Sequence, residues 1–361
     1  MEKKIRSIYL DNLKLFLTVL VVIYHFAHGY VGYIDWTYKD GSYSDSLYNF
    51  ILIDKSFFMG LFFLISGYFI SISIKNSSTK EFILKKIKRL ILPTFLLLLV
   101  EMPIAIYLVS YFVNNEKNDF LSFYLNTYLG EGKLTYGPGW FIVNLFMFSI
   151  AYLMYTKIFK DSLMVKIGKL NIKKILLITL ALALSSFIIR IYYPMDTWIT
   201  LLFVGIEPAH EFQYLILFIV GIIAYRNSWF TNINEKIGKG SVTFSVVLII
   251  LFCTKAYFPD KVGIIINKYY SVYESILCIS LCIGLIYLFK KYLNHTNNFI
   301  TVLSKDAYSV YLIHVLFVII FQVMFHYINI NLYIKFLIGS ILSIICSFVF
   351  ADVFRRIKAI I

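Results

Sequence analysis

The feature that most constrains the fold is a series of long apolar runs that recur along the whole chain. An α-helix needs about 20 mostly apolar residues to cross a bilayer, and ten runs are close to that length. They lie at residues 9–31, 50–74, 88–112, 138–157, 173–193, 209–226, 241–258, 270–289, 306–327 and 331–354. None has the alternating pattern of a barrel strand. The pattern therefore predicts an all-α, polytopic integral membrane protein with about ten transmembrane helices.

The composition excludes a soluble protein and argues against nucleic-acid binding. Of the 361 residues, 60% are hydrophobic and only 15% are charged, a balance that soluble domains do not have. The net charge of +14 comes from Lys and Arg that cluster in short loops between the apolar runs, where such residues set membrane topology. The four cysteines all lie in apolar runs, without a CxxC motif or paired histidines at ligand spacing. We therefore expect no metal and no disulfide.

The charge of the connecting loops predicts the orientation of the helices. Basic residues dominate the two termini and the second, fourth, sixth and eighth connections, whereas the other loops are acidic or nearly neutral. The positive-inside rule then places both termini in the cytosol, which an even number of crossings requires. The longest outer loops, residues 35–45 and 114–136, are too short for a separate folded domain. We expect residues 1–361 to form a single integral membrane domain.

The first predicted span carries a stripe of polar residues. At 3.6 residues per turn, Asp11, Thr18 and His25 fall on one face, and Lys14 lies on that face about three turns before His25. Ionisable residues inside a membrane avoid lipid and are candidates for function. A histidine that faces a polar channel can act as a general base that takes the proton from a hydroxyl group. A hydrogen-bonded histidine that only packs a helix bundle fits the spacing equally well.

Two other spans carry small or charged residues at mid-depth. Ser66 and Gly67 favour close helix approach over a catalytic role. Glu101 is interpreted first as the partner of a buried cation such as Arg190, with a proton relay and a snorkelling carboxylate as alternatives.

Two groups fit either a binding site or an ordinary structural role. Basic residues precede the third span at Lys85, Lys86, Lys88 and Arg89. They suit the phosphates of a cytosolic cofactor, although topogenic charge or contact with anionic lipid is the simpler interpretation. In the ninth span, Tyr311 lies one turn from His314 and can hydrogen-bond to it. Packing and function are equally compatible with His314.

Polar and aromatic residues also gather towards the predicted outer side. Trp140 opens the fourth span, where anchoring at the membrane interface is the default interpretation, and Asn144 lies one turn deeper. A second group, around the fifth and sixth spans, consists of Arg190, Glu207, His210, Glu211 and Gln213. Such a cluster suits sugar binding, and a wet interface between helices fits it equally well.

Arg6, Leu10-Asp11, Lys14 and His25 form a motif at the start of the chain, with the histidine eleven positions after the lysine. This motif resembles that of the membrane-bound acyltransferase 3 family, in which arginine, Leu-Asp, a basic residue and a histidine follow in the same order. The family usually has arginine where this chain has Lys14. Lysine cannot make the forked, bidentate contact of arginine, so the substitution is a departure from the family pattern.

Later motifs extend the resemblance over nearly the whole chain. Residues 63–69 (FLISGYF) resemble a second family element. Lys86, Arg89 and Pro93 resemble a paired basic motif ahead of a proline, with lysine again in place of the first arginine. Further matches are Trp140-Phe141, residues 213–230, which resemble members near the glucan-modifying branch, and Tyr308, Tyr311 and His314 in the penultimate helix.

The resemblance implies transfer of an acyl group, commonly acetyl, from cytosolic acyl-CoA to a hydroxyl of an extracytoplasmic glycan or related acceptor. It implies a multi-pass protein of the bacterial plasma membrane, with the lipid bilayer and an envelope glycan as partners. It also implies acyl-CoA as the donor substrate and no metal, and it does not specify an oligomeric state. His25 becomes the general base, acting directly or through an acyl relay, and Asp11 and Lys14 join it in the catalytic set by organising the donor-side channel. The donor site is expected to include Lys86, Arg89, Arg6, His314 and Tyr311. The acceptor site is expected to include Trp140, Asn144, Arg190, Glu207 and Gln213.

Two other functions use the same sequence pattern. A transporter or exporter of a polysaccharide or its precursor is the main alternative, because a polar stripe through a membrane also suits translocation. The absence of paired, Gly- or Pro-broken segments in two halves of the sequence weighs against it. A non-catalytic scaffold in a glycan-assembly complex is the third possibility, and the complete set of motif residues from Arg6 to His25 argues against it.

Overall fold

A computed structural model describes residues 7–159, 166–201, 204–254, 266 and 269–360. Within these residues, ten helices are long and apolar enough to cross a membrane, which confirms the predicted all-α, polytopic fold. They are α1 (Ile8–His28), α2 (Asp45–Lys75), α3 (Thr79–Phe112), α4 (Gly137–Ile158), α5 (Ile172–Tyr192), α6 (Pro208–Arg226), α7 (Glu235–Thr254), α8 (Tyr270–Tyr292), α9 (Asn298–His326) and α10 (Leu332–Ile357). Between α5 and α6, β1 (Ile199–Leu201) and β2 (Val204–Ile206) form a short antiparallel pair.

Polar caps explain why some helices begin before their apolar runs. The Ser78 side chain accepts the Glu81 N–H at 3.3 Å at the start of α3. Asn297 caps α9 in the same way and accepts the Ile300 N–H at 2.8 Å. A capping side chain satisfies a backbone donor that the first helical turn leaves open. Apolar periodicity alone therefore placed both starts too late.

Pro93 interrupts the regular backbone hydrogen bonding of α3. It follows a π-helical turn at Ile87–Ile91, and it has no N–H to donate to the carbonyl four residues earlier. That carbonyl belongs to Arg89, and it accepts instead from the hydroxyl of Tyr308 on α9. The side chain of another helix thus satisfies backbone that the proline leaves open, as the membrane interior demands.

Pro103 has the same effect further along α3. It follows a second π-helical turn at Leu97–Glu101. The Leu99 carbonyl, which lacks a donor from position 103, accepts from the hydroxyl of Tyr124 at 3.2 Å. Because tyrosines replace the missing donors at both prolines, α3 remains fully hydrogen-bonded at these positions despite two interruptions.

Internal contacts divide the chain into two compact units. Unit 1 takes its residues from Met1–Leu13, Leu52–Ile87 and Asn144–His295, and unit 2 from Lys14–Ile51, Lys88–Val143 and Thr296–Ile361. The units are interleaved along the sequence, and α1 to α4 contribute residues to both.

In unit 1, α2 and α6 approach each other closely at two glycines. A Cβ added to Gly67 would lie 2.0 Å from the Phe218 carbonyl oxygen, and one added to Gly221 would lie 2.1 Å from the Leu64 carbonyl oxygen. Only glycine allows this backbone contact, which confirms the predicted close approach at Gly67. In the same unit, α8 packs against α5 and α7.

In unit 2, α9 packs against α10 and against the Met102–Phe112 portion of α3. The core between these helices includes Met102, Val315 and Ile319. Tyr38, from the loop after α1, is fully buried in the same core. That loop is therefore an integral part of unit 2.

Candidate active site

Two histidines of unit 2 meet within the membrane-spanning part of the chain. His25 lies near the C-terminal end of α1, and His314 lies in the middle of α9. His25 Nδ1 is 3.1 Å from His314 Nε2, and the ring centroids are 4.9 Å apart. His314 is fully buried, whereas His25 is half-buried. The structure thus brings into contact two residues that the sequence analysis had considered separately.

Backbone carbonyls fix which ring nitrogens carry protons. His314 Nδ1 lies 2.7 Å from the Tyr311 carbonyl oxygen, and His25 Nδ1 lies 2.9 Å from the Val21 carbonyl oxygen. A carbonyl oxygen can only accept, so each neutral ring carries its proton on Nδ1. His25 Nε2 is then left with a lone pair. In the described part of the chain, no group hydrogen-bonds to this nitrogen.

An aromatic residue from the loop after α1 lies against the same ring. The Trp36 ring centroid is 5.3 Å from that of His25, with the planes inclined by 33°. The indole N–H donates to Gln322 Oε1 at 3.0 Å, and Gln322 Nε2 donates to the Phe26 carbonyl oxygen at 2.9 Å. Gln322 is fully buried on α9, so these bonds hold an apolar surface beside His25.

A buried ion pair anchors this loop to α10. Lys335 Nζ lies 2.9 Å from Asp40 Oδ1, and the two side chains are only 9% and 3% exposed. The Tyr38 hydroxyl donates to the same carboxylate at 2.9 Å. Burial, reinforced by the charge of Asp40, raises the pKa of Tyr38. The hydroxyl therefore stays protonated and remains a donor.

Side chains of α9 connect the histidine pair to a basic residue. The Arg89 guanidinium carbon lies 5.4 Å from the centre of the Tyr308 ring. Tyr311 and His314 follow one and two turns further along α9, so that Tyr308 and His314 are about 9 Å apart along the axis. Tyr311 is buried and donates its hydroxyl to the Pro138 carbonyl oxygen. Arg89 itself is exposed.

The remaining residues predicted for the catalytic set and the donor site lie outside the histidine pair. Lys14 is half-buried in α1 and lies about 16 Å along the helix from His25, so it does not touch the histidine pair. Asp11 is half-buried in the first turn of α1, and Lys86 is half-buried in α3. Arg6 lies outside the described residues. The roles of these four residues stay predictions.

In unit 1, two residues predicted for the acceptor site belong to a buried charge network. Glu207 binds Lys55 Nζ at 2.8 Å and lies 3.1 Å from His210 Nδ1. His210 Nε2 lies 3.0 Å from Glu274, whose other oxygen binds Arg190 at 2.5 Å. Burial opposes ionisation, but His210 and Lys55 together hold the pKa of Glu207 below its ordinary value. The network joins α2, α5, α6 and α8, and acceptor binding by Arg190 and Glu207 stays a prediction.

Three other residues predicted for the acceptor site are not members of this charge network. Asn144 Nδ2 donates to Glu211 Oε2 at 2.9 Å. Gln213 Nε2 donates to the Ser56 carbonyl oxygen at 2.7 Å. Trp140 is half-buried at the start of α4, in unit 2. Asn144 and Gln213 thus connect helices of unit 1, and the acceptor roles of all three stay predictions.

The partner first expected for Glu101 is wrong. Glu101 Oε1 accepts the backbone N–H of Leu316 on α9 at 3.1 Å, and the two residues belong to unit 2. Arg190 binds Glu274 in unit 1. The sequence shows that a buried carboxylate needs a partner, but it does not show which helix supplies one.

The sequence interpretation missed four residues of these two clusters. Lys55 and Glu274 carried a usable signal, because charged residues inside apolar runs are candidates for function or pairing. Trp36 and Gln322 carried none, since a loop tryptophan and a single amide are ordinary near a membrane interface. Their importance comes only from their contacts with His25 and with each other.

Comparison with known protein families gives a match over nearly the whole chain. The family model described as acyltransferase domain (Acyl_transf_3) matches residues 7–352, which is nearly the whole chain. No curated protein and no solved structure matches the chain significantly. Among the described residues, no group of three or more His, Cys, Asp or Glu side chains is placed to hold a metal ion.

Proposed function

The chain belongs to the acyltransferase 3 family, and from that premise we propose that it moves an acyl group, acetyl in the first instance, from acyl-CoA to a hydroxyl of an extracytoplasmic glycan or related acceptor. The class of reaction, acyl transfer by a membrane protein with ten candidate spans, follows from the family and the fold. The donor, the acceptor and the direction across the membrane are our proposals.

The observation that carries the proposal is the 2.9 Å contact between His25 Nδ1 and the Val21 carbonyl oxygen, which leaves the lone pair of the neutral ring on Nε2. In the reaction, this nitrogen takes the proton of the acceptor hydroxyl as the oxygen attacks the thioester carbonyl. The new ester C–O bond forms, the C–S bond breaks, and the proton passes from Nε2 to the departing thiolate. Atoms and charges balance without a metal or an acyl-enzyme. A positioned histidine of this kind typically contributes a factor of about 100 to 10,000 in rate.

The line from Arg89 to His314 supports a donor route through unit 2. In the predicted orientation, Arg89 and the first turns of α9 lie at the cytosolic end, where the phosphates of CoA are available. Arginine binds phosphate with two parallel hydrogen bonds, and Arg89 is exposed. An extended pantetheine arm that begins there and follows Tyr308 and Tyr311 brings its thioester towards the histidine pair.

Trp36 supports an acceptor on the opposite side of His25. In the predicted orientation, the loop that carries Trp36 lies outside the membrane, and its indole ring contacts the His25 ring. An aromatic face beside a base is a suitable surface for the apolar face of a sugar ring. The donor and the acceptor then reach His25 from opposite faces of the membrane and meet beside Nε2.

Mass spectrometry of envelope glycans tests this proposal. Cells with the wild-type gene should carry O-acyl groups that disappear in the deletion strain and in a strain with His25→Ala. The control is His295→Ala, because His295 is an exposed histidine after α8 and should leave acylation unchanged. Loss of glycan export, with full acylation of the glycan that remains inside the cell, would favour the transport alternative and refute acyl transfer.

A further inference from the structure

The buried histidine on α9 has no free nitrogen with which to bind a donor. His314 is fully buried. Its Nδ1–H is held by the Tyr311 carbonyl oxygen at 2.7 Å, and its Nε2 faces His25 Nδ1 at 3.1 Å. Both polar atoms of the ring are engaged inside the protein. These contacts leave neither ring nitrogen of His314 free to bind acyl-CoA.

The same contacts define what His314 offers to its neighbour. Because its proton is on Nδ1, Nε2 presents a lone pair, and among the described residues the donor that faces it is the Nδ1–H of His25. The Val21 carbonyl oxygen, one turn earlier in α1, accepts the same N–H. Val21 lies on the same helix as His25, whereas His314 lies on α9. The bond to His314 therefore ties the ring plane of His25 directly to the helix that we propose as the donor route.

We propose that His314 is a positioning residue for the reaction: its Nε2 accepts the Nδ1–H of His25 and thereby holds the His25 ring in one tautomer and one orientation, with Nε2 aimed at the acceptor hydroxyl. The proposal rests on the function proposed above and goes beyond it. When His25 becomes an imidazolium, its Nδ1–H keeps this neutral acceptor, and His314 gains and loses no proton. A histidine thus takes the position that a carboxylate occupies in Ser-His-Asp triads.

Two amide substitutions separate positioning from the other roles of His314. The amide of Gln reaches the position of His Nε2, where its oxygen can accept the His25 Nδ1–H. The amide of Asn reaches only the position of Nδ1. We therefore expect His314→Gln to keep kcat within about 10-fold of wild type, and His314→Asn to lower it by about 100-fold, at the lower end of the range for a positioned base.

Steady-state kinetics with acetyl-CoA distinguish the outcomes. Positioning predicts that kcat falls in His314→Asn while KM for acetyl-CoA is unchanged, because the interaction acts on the reacting base. A rise in KM with unchanged kcat would show that His314 binds the donor and would overturn the proposal. Equal loss in both variants, in proportion to loss of folded protein in detergent, would show a role in packing only.

Nitrogen NMR provides a readout that does not depend on activity. In protein labelled with 15N-histidine, the His25 resonance, assigned with His25→Asn, should have the chemical shifts of a neutral ring protonated on Nδ1. His314→Asn leaves the Val21 carbonyl oxygen as an acceptor for this proton, so the His25 tautomer equilibrium should shift only partly towards Nε2. A wild-type His25 that is protonated on Nε2 would refute the proposal even if acyl transfer is observed. Wild-type protein without acyl transfer but with the expected tautomer would refute the proposed function and leave the geometry standing.

Discussion

The ion pair between Lys335 and Asp40 gives a strong stability prediction, because both charges are almost fully buried. Lys335→Met keeps the apolar stem and removes the cation, which leaves the Asp40 carboxylate, 3% exposed, with the Tyr38 hydroxyl as its remaining side-chain donor. Breaking a buried pair by removing one partner costs about 3–5 kcal/mol. Since Tyr38 continues to donate, we expect a loss of about 3 kcal/mol in the free energy of unfolding.

A double-mutant cycle tests whether this loss comes from the unpaired charge. Asp40→Asn in the Lys335→Met background removes the buried anion, so the double variant should regain about 2 kcal/mol. The assay is unfolding of the purified protein by SDS in mixed micelles, followed by tryptophan fluorescence. Lys305→Met is the control, because Lys305 is exposed on α9, and it should change stability by less than about 0.5 kcal/mol.

The result that would refute this reasoning is a Lys335→Met variant as stable as the control. Such a result would mean that the carboxylate of Asp40 is solvated, and that the loop after α1 is not fixed to α10. The positions of Trp36 and of its bond to Gln322 would then lose their support. If the pair is as tight as the structure shows, Lys335→Met should also lower kcat, because the loop that contacts His25 loses its anchor.

Three further predictions concern helix contact, backbone satisfaction and charge. Gly67→Ala should destabilise by about 1–3 kcal/mol, because its Cβ meets the Phe218 carbonyl oxygen, while Gly240→Ala, with open space around its Cβ, should be neutral or stabilising in the same SDS titration. Tyr308→Phe should cost about 1–3 kcal/mol by removing the hydroxyl that donates to the Arg89 carbonyl, and Tyr33→Phe, at a residue 76% exposed, should cost nothing measurable. Burial opposes ionisation of Glu207, but His210 and Lys55 favour the ionised form and lower its pKa in the folded protein. The ionised carboxylate therefore stabilises the fold fully above its ordinary pKa of about 4.3, and this stabilisation is lost as pH falls towards the lower pKa of the folded state. Below about pH 4, the melting temperature of the wild type should fall more steeply with pH than that of Glu207→Gln, and parallel pH profiles would contradict the assignment.

The membrane fold could be predicted because its cause is local. Each span is a run of apolar residues, and the bilayer imposes a minimum length on it. The polar stripe of α1 drew attention to His25 for the same reason, since an ionisable residue inside an apolar run is conspicuous. Even the close approach at Gly67 could be anticipated from residue size. These features depend on neighbours along the chain.

The site could be predicted only in part because its contacts join distant helices. His314 and His25 are 289 positions apart, and either residue alone fits a packing role. The Glu101 interpretation failed for this reason, because its partner is a backbone N–H of α9 that no side-chain pattern marks. Trp36 became a site candidate only through a tertiary contact. Pairings between helices therefore had to come from the structure.

The measurement that tests the central claim most directly is acyl transfer by purified protein in liposomes. Labelled acetyl-CoA and an envelope glycan preparation are supplied, and both release of the CoA thiol and label on the glycan are followed. We predict that wild type and the His295→Ala control give both products in equal amounts, and that His25→Ala, with unchanged SDS unfolding, loses both by at least about 100-fold. Undiminished transfer by His25→Ala would contradict the assignment of His25 as the base on which this account depends.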